Sequence, residues 1–259
     1  MPLVFAGITP HPPLLIPAIG KDEIEKLEKT KSAMDKLEKE LYVAKPQIIF
    51  IISPHSSLFG DSFSINAHTN FVSAFDEFGD LSTKLAWNGV PDLSAKISHL
   101  CDQKDLPLQL VSQEKLDHGA SIPLFYLTRH LKDANIMPIG YSHLNAMEHI
   151  RFGELLKEII MTDERRIAVI ASGDLSHNLD TVKEDPKNLD EKIKYFLENK
   201  AIGNMLELDK SDILKEANEC GYRSIMILMG IMKEIDYKFS DYTYEHPFGV
   251  GYLTGSFDF

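Results

Sequence analysis

Cysteine is scarce. Cys101 and Cys220 are the two in 259 residues, which argues against a disulfide framework and fits a reducing compartment. Basic charge is short as well: 27 Lys and Arg stand against 39 Asp and Glu, a formal charge of −12. Neutralising a phosphate backbone needs a surplus of the other sign, so a general nucleic-acid binder is excluded, though a small anion held by one local cation is not. Long apolar runs are missing too; none approaches the ~20 residues of a membrane span. The opening MPLVFAG has no basic region before its apolar run and does not read as a signal peptide. Internal repeats, low-complexity tracts and a linker that would split the chain are all lacking. The expectation is a cytoplasmic protein without nucleic-acid or membrane partners, built as a single domain over residues 1–259.

The composition that remains, 44% hydrophobic and 25% charged, is that of an ordinary globular protein. Its most informative stretch is PQIIFIISPHSS. Ile48–Ile52 run without a polar break, stop at Ser53-Pro54, and deliver His55. This reads as a strand buried on both faces with an imidazole at its carboxyl end. Leu3–Ile8 runs into TPHPP and His11, and Ile167–Ala171 runs into SGDLSH and His177. Further strands are expected at Phe63–Ala67, Leu85–Trp87, Leu106–Val111, Ile136–Gly140 and in the tail Phe248–Phe259. Helices are expected at Lys21–Val43, Asp92–Gln103, Gly119–Leu131, Asn145–Met161, Asn188–Glu207, Asp209–Ala217 and Gly221–Ile235, the last apolar on nearly every side. The Phe-rich stretch around Phe71, Phe75 and Phe78 reads as a loop or short helix. Strands alternating with helices imply an α/β fold, a central mixed sheet flanked by helices on both faces.

Ligands of open α/β sheets bind outside the carboxyl ends of the strands, so His11, His55 and His177 are expected to converge. Four prolines, Pro10, Pro12, Pro13 and Pro17, stiffen the loop that carries His11. His118 stands out for another reason: it opens a helix beside Asp117, a carboxylate able to cap that helix or fix a tautomer. Of the ten histidines, His99, His130 and His149 sit on helix patterns and His68 follows a strand, all without further signal. His143 and His246 are weaker crevice candidates.

Two neutral imidazoles and one carboxylate bind Fe(II) on one face and leave positions open; zinc accepts the same set. The carboxylate candidate is Glu219, in NECGYRS ahead of the apolar helix, where it would otherwise be a helix-start carboxylate. Adjacent Cys220 offers a thiolate instead, or is a small buried hydrophobe. Arg223 nearby would bind an anionic substituent or serve as a surface residue.

TPHPPLL, SPHSS, DHGASIPL, SGDLSH and NECGYRS occur in this order. Together they resemble the LigB superfamily, the catalytic subunits of class III extradiol ring-opening dioxygenases and their Memo-like relatives. The resemblance runs from His11 to the terminal FGVGYLTGSF. It implies a single α/β domain, Fe(II) held by His11, His55 and Glu219, His177 as acid–base catalyst and His118 assisting substrate or oxygen. The implied partners are a small aromatic diol and molecular oxygen, with a homo-oligomer or a separate small subunit as the expected assembly. Cys220-Gly221 and Asp174 equally match the Memo-like branch, which implies Cys220 as third ligand and a metal protein without ring cleavage. A zinc hydrolase on the same ligands is a third reading.

Overall fold

Ile48–Ile52 is apolar at every position because both faces of its strand are covered. In the computed structural model, which describes residues 2–73, 75–180 and 187–259, Ile48, Phe50 and Ile52 enter one hydrophobic core and Ile49 and Ile51 another. The same alternation divides the neighbouring strand, with Val169 and Ala171 on the first side and Ala168 and Ile170 on the second. A period of two on a strand buried twice leaves no polar position.

The strands are β1 (Leu3–Thr9), β2 (Ile48–Ser53), β3 (Phe63–Asn66), β4 (Asn70–Ser73), β5 (Ala86–Asn88), β6 (Leu108–Val111), β7 (Lys115–Leu116), β8 (Asn135–Gly140), β9 (Ile167–Ser172), β10 (Lys238–Glu245) and β11 (Tyr252–Asp258). Among the described residues they form an eight-stranded sheet, ordered β10-β11-β1-β9-β2-β8-β3-β6, and a small sheet, β5-β4-β7. The central four, β1, β9, β2 and β8, are parallel. Antiparallel pairing of β11 with β1 and of β3 with β8 makes the large sheet mixed, as expected.

Helices Pro91–Gln103, Ala146–Thr162, Lys187–Glu198 and Tyr222–Met232 pack on the first face. Helices Glu28–Ala44 and His118–Leu127, with the small sheet, cover the second. Tyr222–Met232 is apolar all round because it is enclosed: every residue from Ser224 to Met232 is buried. It meets Ala146–Thr162 at two glycines. A Cβ on Gly153 would lie 2.1 Å from the Ile227 carbonyl oxygen, and one on Gly230 would lie 2.2 Å from that of Ile150. Only glycine permits so close an approach of two helix backbones.

Several expectations shift. The helix expected over Asn188–Glu207 is two, Lys187–Glu198 and Ile202–Leu208; Lys200, at φ 55°, takes a left-handed conformation that a continuing helix cannot accommodate. The Phe-rich loop contains β4, and the helix from Lys21 begins as a 3-10 segment, Lys21–Leu27, before Glu28–Ala44. β10 carries mostly polar and half-buried residues, so its composition hides it. No helix among the described residues is long and apolar enough to cross a membrane.

Candidate metal centre

Register decides which residues meet. Thr9 pairs with Ser172 across β1 and β9, and Ile52 pairs with Ala171 across β2 and β9. The last residues of three parallel strands, Thr9, Ser172 and Ser53, therefore stand level. Two residues beyond each comes His11, Asp174 and His55. His177 lies three residues further along its loop than the level position.

His11 is buried, and its Nε2 stands 3.1 Å from Nε2 of His55. Metal–nitrogen bonds of ~2.1 Å would set two imidazole nitrogens roughly 3.0–3.4 Å apart on one ion, so the pair fits a shared cation. The Ser172 hydroxyl donates to the Gly119 carbonyl at 2.5 Å and can therefore only accept from Nδ1–H of His11, 2.9 Å away. That leaves the His11 Nε2 lone pair facing His55. The His118 ring stacks on His55, centroids 4.2 Å apart, and stands edge-on to His11 at 5.5 Å. One nitrogen from each of His11, His55 and His118 lies within 4.8 Å of the others.

Cys220 joins the group through His11 and His177. Its Sγ is 3.7 Å from His11 Nε2 and 3.8 Å from His177 Nε2. It arrives there because the loop after β9 rides on the loop before helix Tyr222–Met232: a Cβ on Gly173 would sit 2.1 Å from Gly221 Cα. Asp174 seals the junction. Its carboxylate accepts from the His11 backbone N–H at 2.9 Å, its own N–H points at Cys220 Sγ at 3.3 Å, and its carbonyl accepts from Cys220 and Gly221.

The expected site residues divide accordingly. His11, His55, His118, His177 and Cys220 are drawn into one crevice. Glu219 is partly buried, and its Oε2 accepts from the Tyr222 N–H at 2.5 Å, at the start of the helix and outside the three-histidine group. Arg223 lies over the Tyr141 ring, 6.0 Å from its centroid, with its Nε buried and unpaired. Residues that sequence reasoning passed over are Ser172 and Ser53. Their signal was present, a small hydroxyl residue closing each buried strand just ahead of the site.

Burial sets the charge state. It holds His11 far below the ordinary imidazole value, helped by repulsion from His55, His118 and His177. Burial, then His118 and His177, lowers His55 to about 4. His118 is lowered by burial against the pull of Asp117 and Glu77, and His177 by burial. At neutral pH all four are neutral, the state a metal needs. Burial raises Asp174 and Glu219 to about 7 and pushes the Cys220 thiol up. A cation placed among them would reverse that trend, since it favours thiolate and carboxylate. Beside His55 and His118 opens a cavity of about 580 Å³, lined also by Glu77, Glu114 and Lys115.

A mixed α/β sheet with a histidine cluster at the carboxyl ends of its parallel strands defines the class: a protein with a candidate metal centre at the sheet crevice. The chain belongs to the LigB family, the catalytic LigB subunit of aromatic ring-opening dioxygenase, whose model matches residues 6–255. Among relatives, Protein CA_C1420 of Clostridium acetobutylicum is 28% identical over 262 residues, covering 95% of this chain and 55% of that protein. The 4,5-DOPA dioxygenase extradiol of Mirabilis jalapa is 22% identical over 171 residues, covering 64% of this chain and 62% of that protein. The chain thus spans little more than half the length of these relatives. An uncharacterized Escherichia coli K12 protein, JW3007, shares the fold: the TM-score is 0.70 at 17% identity, over 99% of this chain and 100% of that one.

Proposed function

We propose that the protein is a non-haem Fe(II)-dependent extradiol dioxygenase that opens a catechol-type aromatic ring with molecular oxygen. The observation that carries this reading is the facing of His11 Nε2 and His55 Nε2 at 3.1 Å, with the lone pair of His11 freed by Ser172. Family membership and the likeness to a plant extradiol dioxygenase support it. His11 and His55 would hold the metal, and Glu219 would complete the set by turning from its helix cap. Ferrous iron held there would supply a redox-active Lewis acid with open coordination positions.

The remaining steps belong to the chain. His177, neutral at pH 7 and only partly enclosed, takes a phenolic proton; a general base of this kind contributes ~10²–10⁴-fold. His118, facing the cavity, donates to the charge that develops on oxygen. The cavity admits the diol beside His55.

The test is anaerobic loading with Fe(II), then oxygen and a panel of catechols. Appearance of a yellow ring-opened product is expected, reduced at least a hundredfold in kcat by His177→Ala. Iron bound without product from any catechol would overturn the reading.

A second reading is favoured by the position of Cys220 Sγ, 3.7 Å from His11 Nε2: a Memo-like metal-binding protein without ring cleavage, with a His₂Cys set that suits zinc. Metal analysis of Cys220→Ala and Glu219→Ala separates the two. Loss of metal in Cys220→Ala alone would sink the carboxylate assignment.

A further inference from the structure

Pro123 has no place in the reaction described above, yet it sits inside a helix, His118–Leu127, whose first residue, His118, packs its ring against both candidate metal histidines. Proline has no backbone N–H, so the carbonyl four residues earlier loses its helical partner. Four residues before Pro123 is Gly119. Its carbonyl is the one that accepts the Ser172 hydroxyl at 2.5 Å, and Ser172 in turn accepts from His11 Nδ1 at 2.9 Å. We propose that Pro123 is a positioning residue for His11: it leaves the Gly119 carbonyl free for Ser172, and Ser172 thereby holds His11 as the Nδ1–H tautomer with Nε2 open toward His55.

The rest of the turn serves the second histidine. The Asp117 carboxylate caps the helix at the Ala120 N–H, 3.0 Å, and with the same oxygen accepts the Ser53 hydroxyl at 2.5 Å. Ser53 Oγ, its proton thus committed, accepts from the His55 backbone N–H at 3.3 Å. Gly119 must lack a side chain, since a Cβ there would lie 2.5 Å from Ser53 Oγ and 3.1 Å from the His55 ring. One helical turn is therefore connected to the His11 ring through Ser172 and to the His55 backbone through Ser53. An alanine at 123 would restore an N–H that competes with Ser172 for the Gly119 oxygen. The Ser172 hydroxyl could then rotate and donate to His11, which inverts the tautomer and closes Nε2 with a proton. The inference rests on the metal-site reading for its purpose. Its chemistry is the tautomer alone, which can be read without metal.

The experiment is long-range proton–nitrogen NMR of the His11 imidazole in metal-free full-length protein, with zinc affinity measured in parallel by chelator competition. Wild type and Ser172→Thr, which keeps the hydroxyl, are expected to hold a single Nδ1–H tautomer. Ser172→Ala mixes the tautomers and weakens zinc at least about tenfold, the loss usual for a partner that orients a metal-binding histidine. Pro123→Ala mixes them as well and weakens zinc severalfold, while its unfolding midpoint stays level or rises, because alanine is the better helix former. That opposition of affinity and stability separates positioning from a merely structural role. An Nε2–H tautomer in the wild type, or an unchanged tautomer in Ser172→Ala, would overturn the relay. An unchanged tautomer in Pro123→Ala alone would remove Pro123 from it. If the relay holds and no metal binds, the metal-site reading fails by itself.

Discussion

Two buried histidines in this chain have opposite uses, and their hydrogen bonds tell them apart. His11 spends one nitrogen on Ser172 and keeps the other facing His55. His149 spends both inside its own neighbourhood, Nδ1 on the Asn145 carbonyl at 2.8 Å and Nε2 against Ser142. Sequence placed His149 on a helix without further signal, and it is a fully buried core residue of Ala146–Thr162. Burial lowers it to about 4, against its hydrogen bond to the Asn145 carbonyl, which raises it. The unfolded chain therefore binds the proton first on acidification. Its contribution to stability is complete above the ordinary imidazole value of ~6.5 and is lost as pH falls from there toward 4, roughly 3 kcal/mol at ~1.4 kcal/mol per pH unit. Urea unfolding of the metal-free protein at a series of pH values should show this slope in the wild type. His149→Gln should make it shallower by this share, the rest of the slope belonging to the other lowered histidines, His11, His55, His118 and His177.

Among elements, the pairing of helices Ala146–Thr162 and Tyr222–Met232 is the most exacting contact. The first-face core depends on it, and Tyr222–Met232 starts directly after Glu219, Cys220 and Gly221. A displacement of that helix shifts Cys220 relative to His11. Gly153→Val puts carbon into space now 2.1 Å from a backbone oxygen, and overpacking of that kind typically costs ~1–3 kcal/mol. The expected result is an unfolding midpoint in urea lowered accordingly, together with weaker metal binding, because the same shift opens the Gly173–Gly221 junction. A loss of stability with metal affinity intact would show that the junction holds by its own hydrogen bonds to Asp174.

At the scale of the whole molecule, the centre is assembled from segments far apart in sequence. His11 and Cys220 are 209 residues apart and His11 and His55 are 44 apart. A cation bound there would tie two parallel strands, β1 and β2, and the start of a core helix together, a set of ligands that only the folded chain brings within reach. Zinc or Fe(II) at a hundred times its dissociation constant should then stabilise by ~2.7 kcal/mol. A thermal melt should move up on loading and return on chelation, and His11→Ala should abolish the shift.

The α/β class, the central mixed sheet and three of its buried strands were legible from the sequence because continuous apolar runs of that length have few other uses. The strand-end histidines were legible for the same reason, each following such a run. What the chain order left open was decided in three dimensions. Residue patterns placed His11, His55 and His177 on equal terms, but strand register levels only His11 and His55 with Asp174, while His177 stands further out on its loop against Cys220. Glu219 and Cys220 are neighbours in sequence and equivalent as candidates. The helix start turns one toward the Tyr222 N–H, and the contact of Gly173 with Gly221 carries the other to the histidines. The roles of Ser172 and Pro123 lay beyond any local pattern, because a carbonyl freed on one element finds its donor on another only after both have packed. Sequence alone marked the buried strands and the imidazoles that follow them. Which atom of each faces its neighbour depended on tertiary packing, since hydrogen bonds and metal-binding geometry are set to tenths of an ångström and apolar periodicity only to the face of an element.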